Sequence, residues 1–122
     1  MNITPEQAYN GLVMKNAELQ SAVEELKDLA QRKAQSASYY DKKLSAHILT
    51  LRDSGTSATL SEKIAKGELE KDRLEMMLSE ELMKIQYVKV KSIETAISSY
   101  QSIISGRKAE MQAMLLERNQ KV

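Results

Sequence analysis

Cysteine, phenylalanine and tryptophan are absent from this chain, and its 122 residues include one proline, one histidine and four glycines. Without cysteine there is no disulfide framework, thiol nucleophile or thiolate metal site. A lone histidine needs partners to bind metal or move protons. In helical register those of His47 are Lys43, Leu44, Thr50 and Leu51, none of which suits either task. No Glu-x-x-His pair exists, so a carboxylate-bridged di-metal bundle is excluded. Gly11, Gly55, Gly67 and Gly106 are too scattered for a phosphate-cradling loop. No apolar run approaches the length of a membrane span, and the first residues lack the basic-then-apolar pattern of a secretory leader. The expectation is a cytoplasmic, non-enzymatic protein with no cofactor and no bound metal.

What is present is helix. Thr4-Pro5-Glu6-Gln7 is a strong start, with a capping threonine, proline in the first helical position and a glutamine placed to bond back. Apolar or small residues then recur at steps of three and four: Ala8, Leu12, Leu19, Val23, Leu26, Ala30, Ala37, Tyr40, Leu44, Ile48 and Leu51. Gly11 is expected to weaken the first turns. Gly55, after Asp53-Ser54, is the natural left-handed terminator. Thr59-Leu60-Ser61-Glu62 reads as a second capping box opening a short helix, with Gly67 as its cap or as a kink into the last helix. That helix carries Leu74, Leu78, Leu82, Ile85, Val88, Ala96, Tyr100, Ile103, Met111 and Met114 as its stripe, with Ile93 and Ile97 slightly off it.

The fold class is therefore all-α, a single domain over residues 1–122. Long helices at about 5–53 and 68–117 form an antiparallel, coiled-coil-like hairpin, with a short helix near the bend at about 60–66. Each long helix spans ~73–75 Å at ~1.5 Å per residue. Two helices leave much of each circumference uncovered, so the chain is expected to complete its core as a homo-oligomer.

Formal net charge is +1, which disfavours coating of nucleic acid by bulk charge. The charges are nonetheless sorted. Residues 18–28 and 62–81 are rich in acid, whereas 32–52 and 84–108 are rich in base. Tyr39 and Tyr40 sit between Arg32/Lys33 and Lys42/Lys43. Lys84, Tyr87 and Lys91 share one helix face, with Lys89 close by. A turn near residue 60 would lay 84–91 beside roughly 29–36, joining the two stretches into one band. Cations that track phosphates, interleaved with rings on which bases stack, describe a single-strand-binding surface. Its candidate residues are Arg32, Lys33, Tyr39, Lys42, Lys43, Lys84, Tyr87, Lys89 and Lys91. The competing reading of the same charges is salt bridges to the acidic segments of a neighbouring subunit, alternating blocks being also how antiparallel helices choose register.

Tyr39-Tyr40-Asp41-Lys42-Lys43-Leu44, the Leu49–Gly55 turn, Ile64-Ala65-Lys66-Gly67 and Gln101-Ser102-Ile103-Ile104-Ser105-Gly106-Arg107 together form a layout. It resembles small helical phage proteins, and among characterised ones the recombination mediators of T-even phages, the UvsY type. The resemblance implies an oligomer in the host cell cytoplasm that binds single-stranded DNA. It also implies partnership with a recombinase and a single-strand-binding protein, with Lys42 and Lys43 as candidate DNA contacts. The order of residues in 39–44 differs from the mediators' basic-aliphatic-aromatic stretch. Two other expectations remain open: a structural coiled-coil adaptor or assembly protein, and a small phage inhibitor docking on a host protein.

Overall fold

Helices begin and end here where backbone groups find partners. In the computed structural model, which describes residues 3–120, the chain forms α1 (Pro5–Asp53), α2 (Ala58–Glu68) and α3 (Glu70–Gln120). Residues 1, 2, 121 and 122 of the expected domain lie outside the described set. No strand occurs among the described residues, and the long first and third helices pack together.

The first start is a reciprocal capping box. The Thr4 amide donates to Gln7 Oε1 at 3.0 Å, and the Gln7 amide donates to Thr4 Oγ1 at 3.2 Å. At the end of α1, Gly55 takes φ 94°. Its amide donates to the Arg52 carbonyl at 3.0 Å, and the Thr56 amide donates to the Leu51 carbonyl at 3.1 Å. That double closure is a Schellman motif, as the glycine signalled.

The second start differs from expectation. α2 is capped by Ser57, whose side chain accepts from the Leu60 amide, so the helix opens before the Thr59-to-Glu62 box. Gly67 is neither cap nor kink, since it lies inside α2 without a positive φ. The interruption falls at Leu69 (φ −101°, ψ 23°), whose amide still donates to the Ala65 carbonyl. One residue of irregularity keeps the helical phase nearly intact, so the buried line Ser61, Ala65, Leu69 continues from α2 into α3.

The chain divides into two compact units, one made of Met1–Val23 with Val88–Val122 and the other of Glu24–Tyr87. In the second unit, Ser36 meets Ser79, Lys43 meets Asp72 and His47 meets Glu68. Facing residue numbers add to 115 in all three pairs, so α1 runs antiparallel to the end of α2 and to the start of α3. The buried residues of this unit include Tyr40, Ser61, Ala65, Leu69, Ser79 and Gln86. Small side chains at Ser36 and Ser79 let the backbones come close. The Ser79 hydroxyl, 3.2 Å from that of Ser36, also donates to the Glu75 carbonyl at 2.8 Å. Burial of these hydroxyls thus leaves no polar atom stranded. Among the described residues, no buried side-chain nitrogen or oxygen lacks a hydrogen-bond partner.

In the first unit the core is Ala8 and Ala22 from α1 with Val90 and Ile93 from α3. Tyr100 of α3 lies over Gly11 of α1. A Cβ on Gly11 would come within 2.5 Å of the Tyr100 Cζ. Gly11 is therefore a seat for an aromatic ring rather than a weak point.

The seam of α1 follows the expected line, except that Ala30 is exposed. That of α3 follows it only in part, with Leu82, Ala96, Tyr100 and Ile103 half-buried. Leu74, Leu78, Ile85, Val88, Met111 and Met114, all expected in the seam, are 49–68 % exposed. Residues outside that stripe also turn inward: Asp72, Met76, Ser79, Met83 and Gln86 in one unit, and Val90, Ile93, Ile97 and Ile104 in the other. The helix is apolar on two sides. Continuity with Ser61, Ala65 and Leu69 selects the side that faces α1.

Candidate nucleic-acid interface

Three of the sequence candidates lie close together on α1. Tyr39 is 54 % exposed, whereas Tyr40, one residue on and turned about 100° around the helix, is buried in the seam. The Lys43 ammonium lies 4.7 Å from the centre of the Tyr39 ring, within cation–π range. The same ammonium is 3.3 Å from Asp72 Oδ2. Its neighbours, Tyr39 first and Asp72 second, raise the Lys43 pKa above the ordinary lysine value, so it stays charged through the neutral range.

Two shallow grooves border the Tyr39 ring, and their chemistry is opposite. One is lined by Gln35, Ser36, Asp72 and Glu75 and presents carboxylates. The other is lined by Ala34, Gln35, Ser38 and Lys42 and contains none. Lys42 is exposed and makes no salt bridge with a described residue.

Other candidates are drawn into protein contacts. Arg32 binds Glu75 Oε1 through Nη2 at 2.6 Å and Nε at 3.1 Å. Lys84 sits 3.7 Å from Glu80 and 3.5 Å from Glu81 on its own helix, and Lys91 sits 3.9 Å from Glu94. Lys33 is half-buried, Tyr87 is 51 % exposed, and Lys89 is exposed. The register divides the expected band. Because Lys43 meets Asp72 and Ser36 meets Ser79, Lys84 lies across from the Arg32–Lys33 end of the basic stretch of α1, whereas Tyr39 to Lys43 lie opposite the acidic start of α3.

His47 is half-buried beside Glu68. Sequence reasoning missed that carboxylate, because the partner comes from the end of α2, outside helical register on α1. Gly11 was likewise missed as a ring seat, since only the partner helix reveals the need. No group of three or more metal-ligating side chains occurs among the described residues, and no described helix is long and apolar enough to cross a membrane.

No protein-family model matches the chain, and no curated protein or solved structure matches it either.

Proposed function

We propose that this chain is a non-catalytic binding protein that holds single-stranded nucleic acid along the carboxylate-free side of Tyr39. Its role in this reading is that of a recombination mediator, with a recombinase and a single-strand-binding protein as protein partners. One observation carries the binding reading: an exposed ring, flanked by two cations, borders a groove without carboxylates. Tyr39 offers a stacking surface and Lys42 a phosphate contact, the two components of sequence-tolerant single-strand binding. A patch this small binds weakly alone, and repetition in an oligomer supplies avidity.

The test is anisotropy titration of labelled single-stranded DNA at ~50 and ~200 mM salt. Tyr39→Ala should weaken binding, and Lys42→Ala should also flatten the salt dependence by about one charge. If wild type fails to bind at the lower salt, the reading is wrong.

A second reading, a coiled-coil adaptor or assembly protein, is favoured by a different observation. Arg32–Glu75 and Lys43–Asp72 join opposite charges across α1 and α3. Basic residues spent on register are less available to phosphate. This reading expects a protein ligand and no salt-dependent DNA binding.

A further inference from the structure

The side of α3 turned away from α1 carries Leu74, Met77, Leu78 and Ile85, exposed by 52, 47, 49 and 65 %. At about 100° per residue, Leu74, Leu78 and Ile85 fall within ~40° of one another and oppose Met83 and Ser79. With Glu81 between them they repeat at steps of four, three and four, the spacing of a coiled-coil seam. α3 thus has two seams, and its own chain fills one. The filled one is thin. Among the described residues, the buried hydrophobic side chains of this unit are Tyr40, Ala65 and Leu69.

We propose that a second copy of this chain covers the open seam, with the two α3 helices packed antiparallel about a twofold axis near Leu78–Glu81. The stripe is self-complementary in that direction. Leu74 of each copy falls against Ile85 of the other, and Leu78 falls against Glu81. The charges agree with the direction. Along 75–84 the helix carries Glu75, Glu80 and Glu81 before Lys84. In-register parallel packing would set Glu81 directly against Glu81 in the seam, whereas antiparallel packing sets each Glu81 against Leu78. Glu81 is the one charge inside the stripe, and Lys84 lies 3.5 Å from its carboxylate on the same helix. The lysine partly neutralises it, so the cost of bringing two Glu81 side chains close is reduced but remains. This inference does not depend on nucleic-acid binding.

Because the chain has no cysteine, crosslinking reports the direction cleanly. Leu74→Cys and Ile85→Cys are prepared separately, mixed, and oxidised at micromolar concentration. The mixed disulfide dimer is expected to dominate over either homodimer. Preferential Leu74→Cys self-crosslinking would show parallel packing and overturn the proposal. Sedimentation equilibrium adds an independent readout. Leu78→Glu should raise the dimer dissociation constant about tenfold or more, and Glu81→Leu should lower it, with unchanged circular dichroism in both. A wild-type chain that stays monomeric at all accessible concentrations, or a Glu81→Leu variant that associates more weakly, overturns it too.

Discussion

Replacing Gly11 with alanine should destabilise this protein, although the helix-propensity scale says the reverse. In an exposed helix interior, glycine to alanine gains about 1 kcal/mol. Here the new methyl would lie 2.5 Å from Tyr100 Cζ, 2.6 Å from Cε1 and 2.9 Å from the hydroxyl oxygen. Carbon atoms prefer ~3.5–4.0 Å, so the rigid ring must retreat by about 1 Å or leave its seat. Overpacking of this kind costs about 1–3 kcal/mol. The two effects together leave Gly11→Ala between neutral and about 2 kcal/mol less stable. The decisive quantity is the difference between backgrounds. With Tyr100→Ala the obstruction is gone, and Gly11→Ala should then stabilise by its full ~1 kcal/mol. Urea denaturation of the four proteins, followed by far-ultraviolet circular dichroism, yields a coupling energy of about 1–3 kcal/mol. If Gly11→Ala stabilises both backgrounds equally, Tyr100 does not rest on Gly11, and the reasoning fails.

Three further substitutions probe the joints and the seam by the same denaturation assay. Gly55→Ala places a Cβ on a residue at φ 94° and should cost about 1 kcal/mol, with Gly55→Asn costing less; equal stability would show that the α1 terminator is not left-handed. Ser57→Ala removes the acceptor for the Leu60 amide and should cost about 1 kcal/mol, whereas Thr59→Ala should not, so the reverse order would return the cap to the Thr59-to-Glu62 box. Ser79→Leu should cost about 1–3 kcal/mol by forcing the close α1–α3 approach apart, while Ser79→Ala should change stability by less than ~1 kcal/mol; a stabilising leucine would mean that the opposite face of α3 is the true seam.

The ends of the helices were the most legible part of the sequence because their signals are local. A threonine and a glutamine three residues apart bond each other wherever that chain segment folds, and Gly55 adopts its left-handed backbone without help from a distant element. The α1 seam was legible as well, since apolar residues on that helix trace one dominant line. At the α2 start the Thr59-to-Glu62 box was the expected cap, and the structure places the cap two residues earlier. Ser57 prevailed over Thr59, and the Ser61 hydroxyl was left to reach the Thr56 carbonyl at 3.4 Å.

The phase of α3 was legible only in part, and the reason bears on the candidate site. Hydrophobic periodicity identifies the more apolar face of a helix, but a helix with two partners needs two such faces. On α3 the leucine and isoleucine stripe is the stronger in composition. The side that faces α1 instead carries Ser79 and Gln86, which spacing alone would assign to water. What overrides composition is the nearly unbroken passage from Ala65 through Leu69, together with Arg32–Glu75 and Lys43–Asp72 at the margins. Those ion pairs are exposed, and each contributes at most about 1 kcal/mol to stability. Their effect on register is larger in consequence, because they set the basic stretch of α1 against the acidic start of α3. The band expected from linear charge blocks required basic stretches to meet across the helices, and antiparallel packing of sorted charges favours the opposite. What survives around Tyr39 is the part of the pattern confined to one helix, where residues at three- and four-residue steps share a face whatever lies across from them. A single-strand-binding surface of the kind proposed would therefore run along α1, where the Tyr39 side is independent of what lies across the seam.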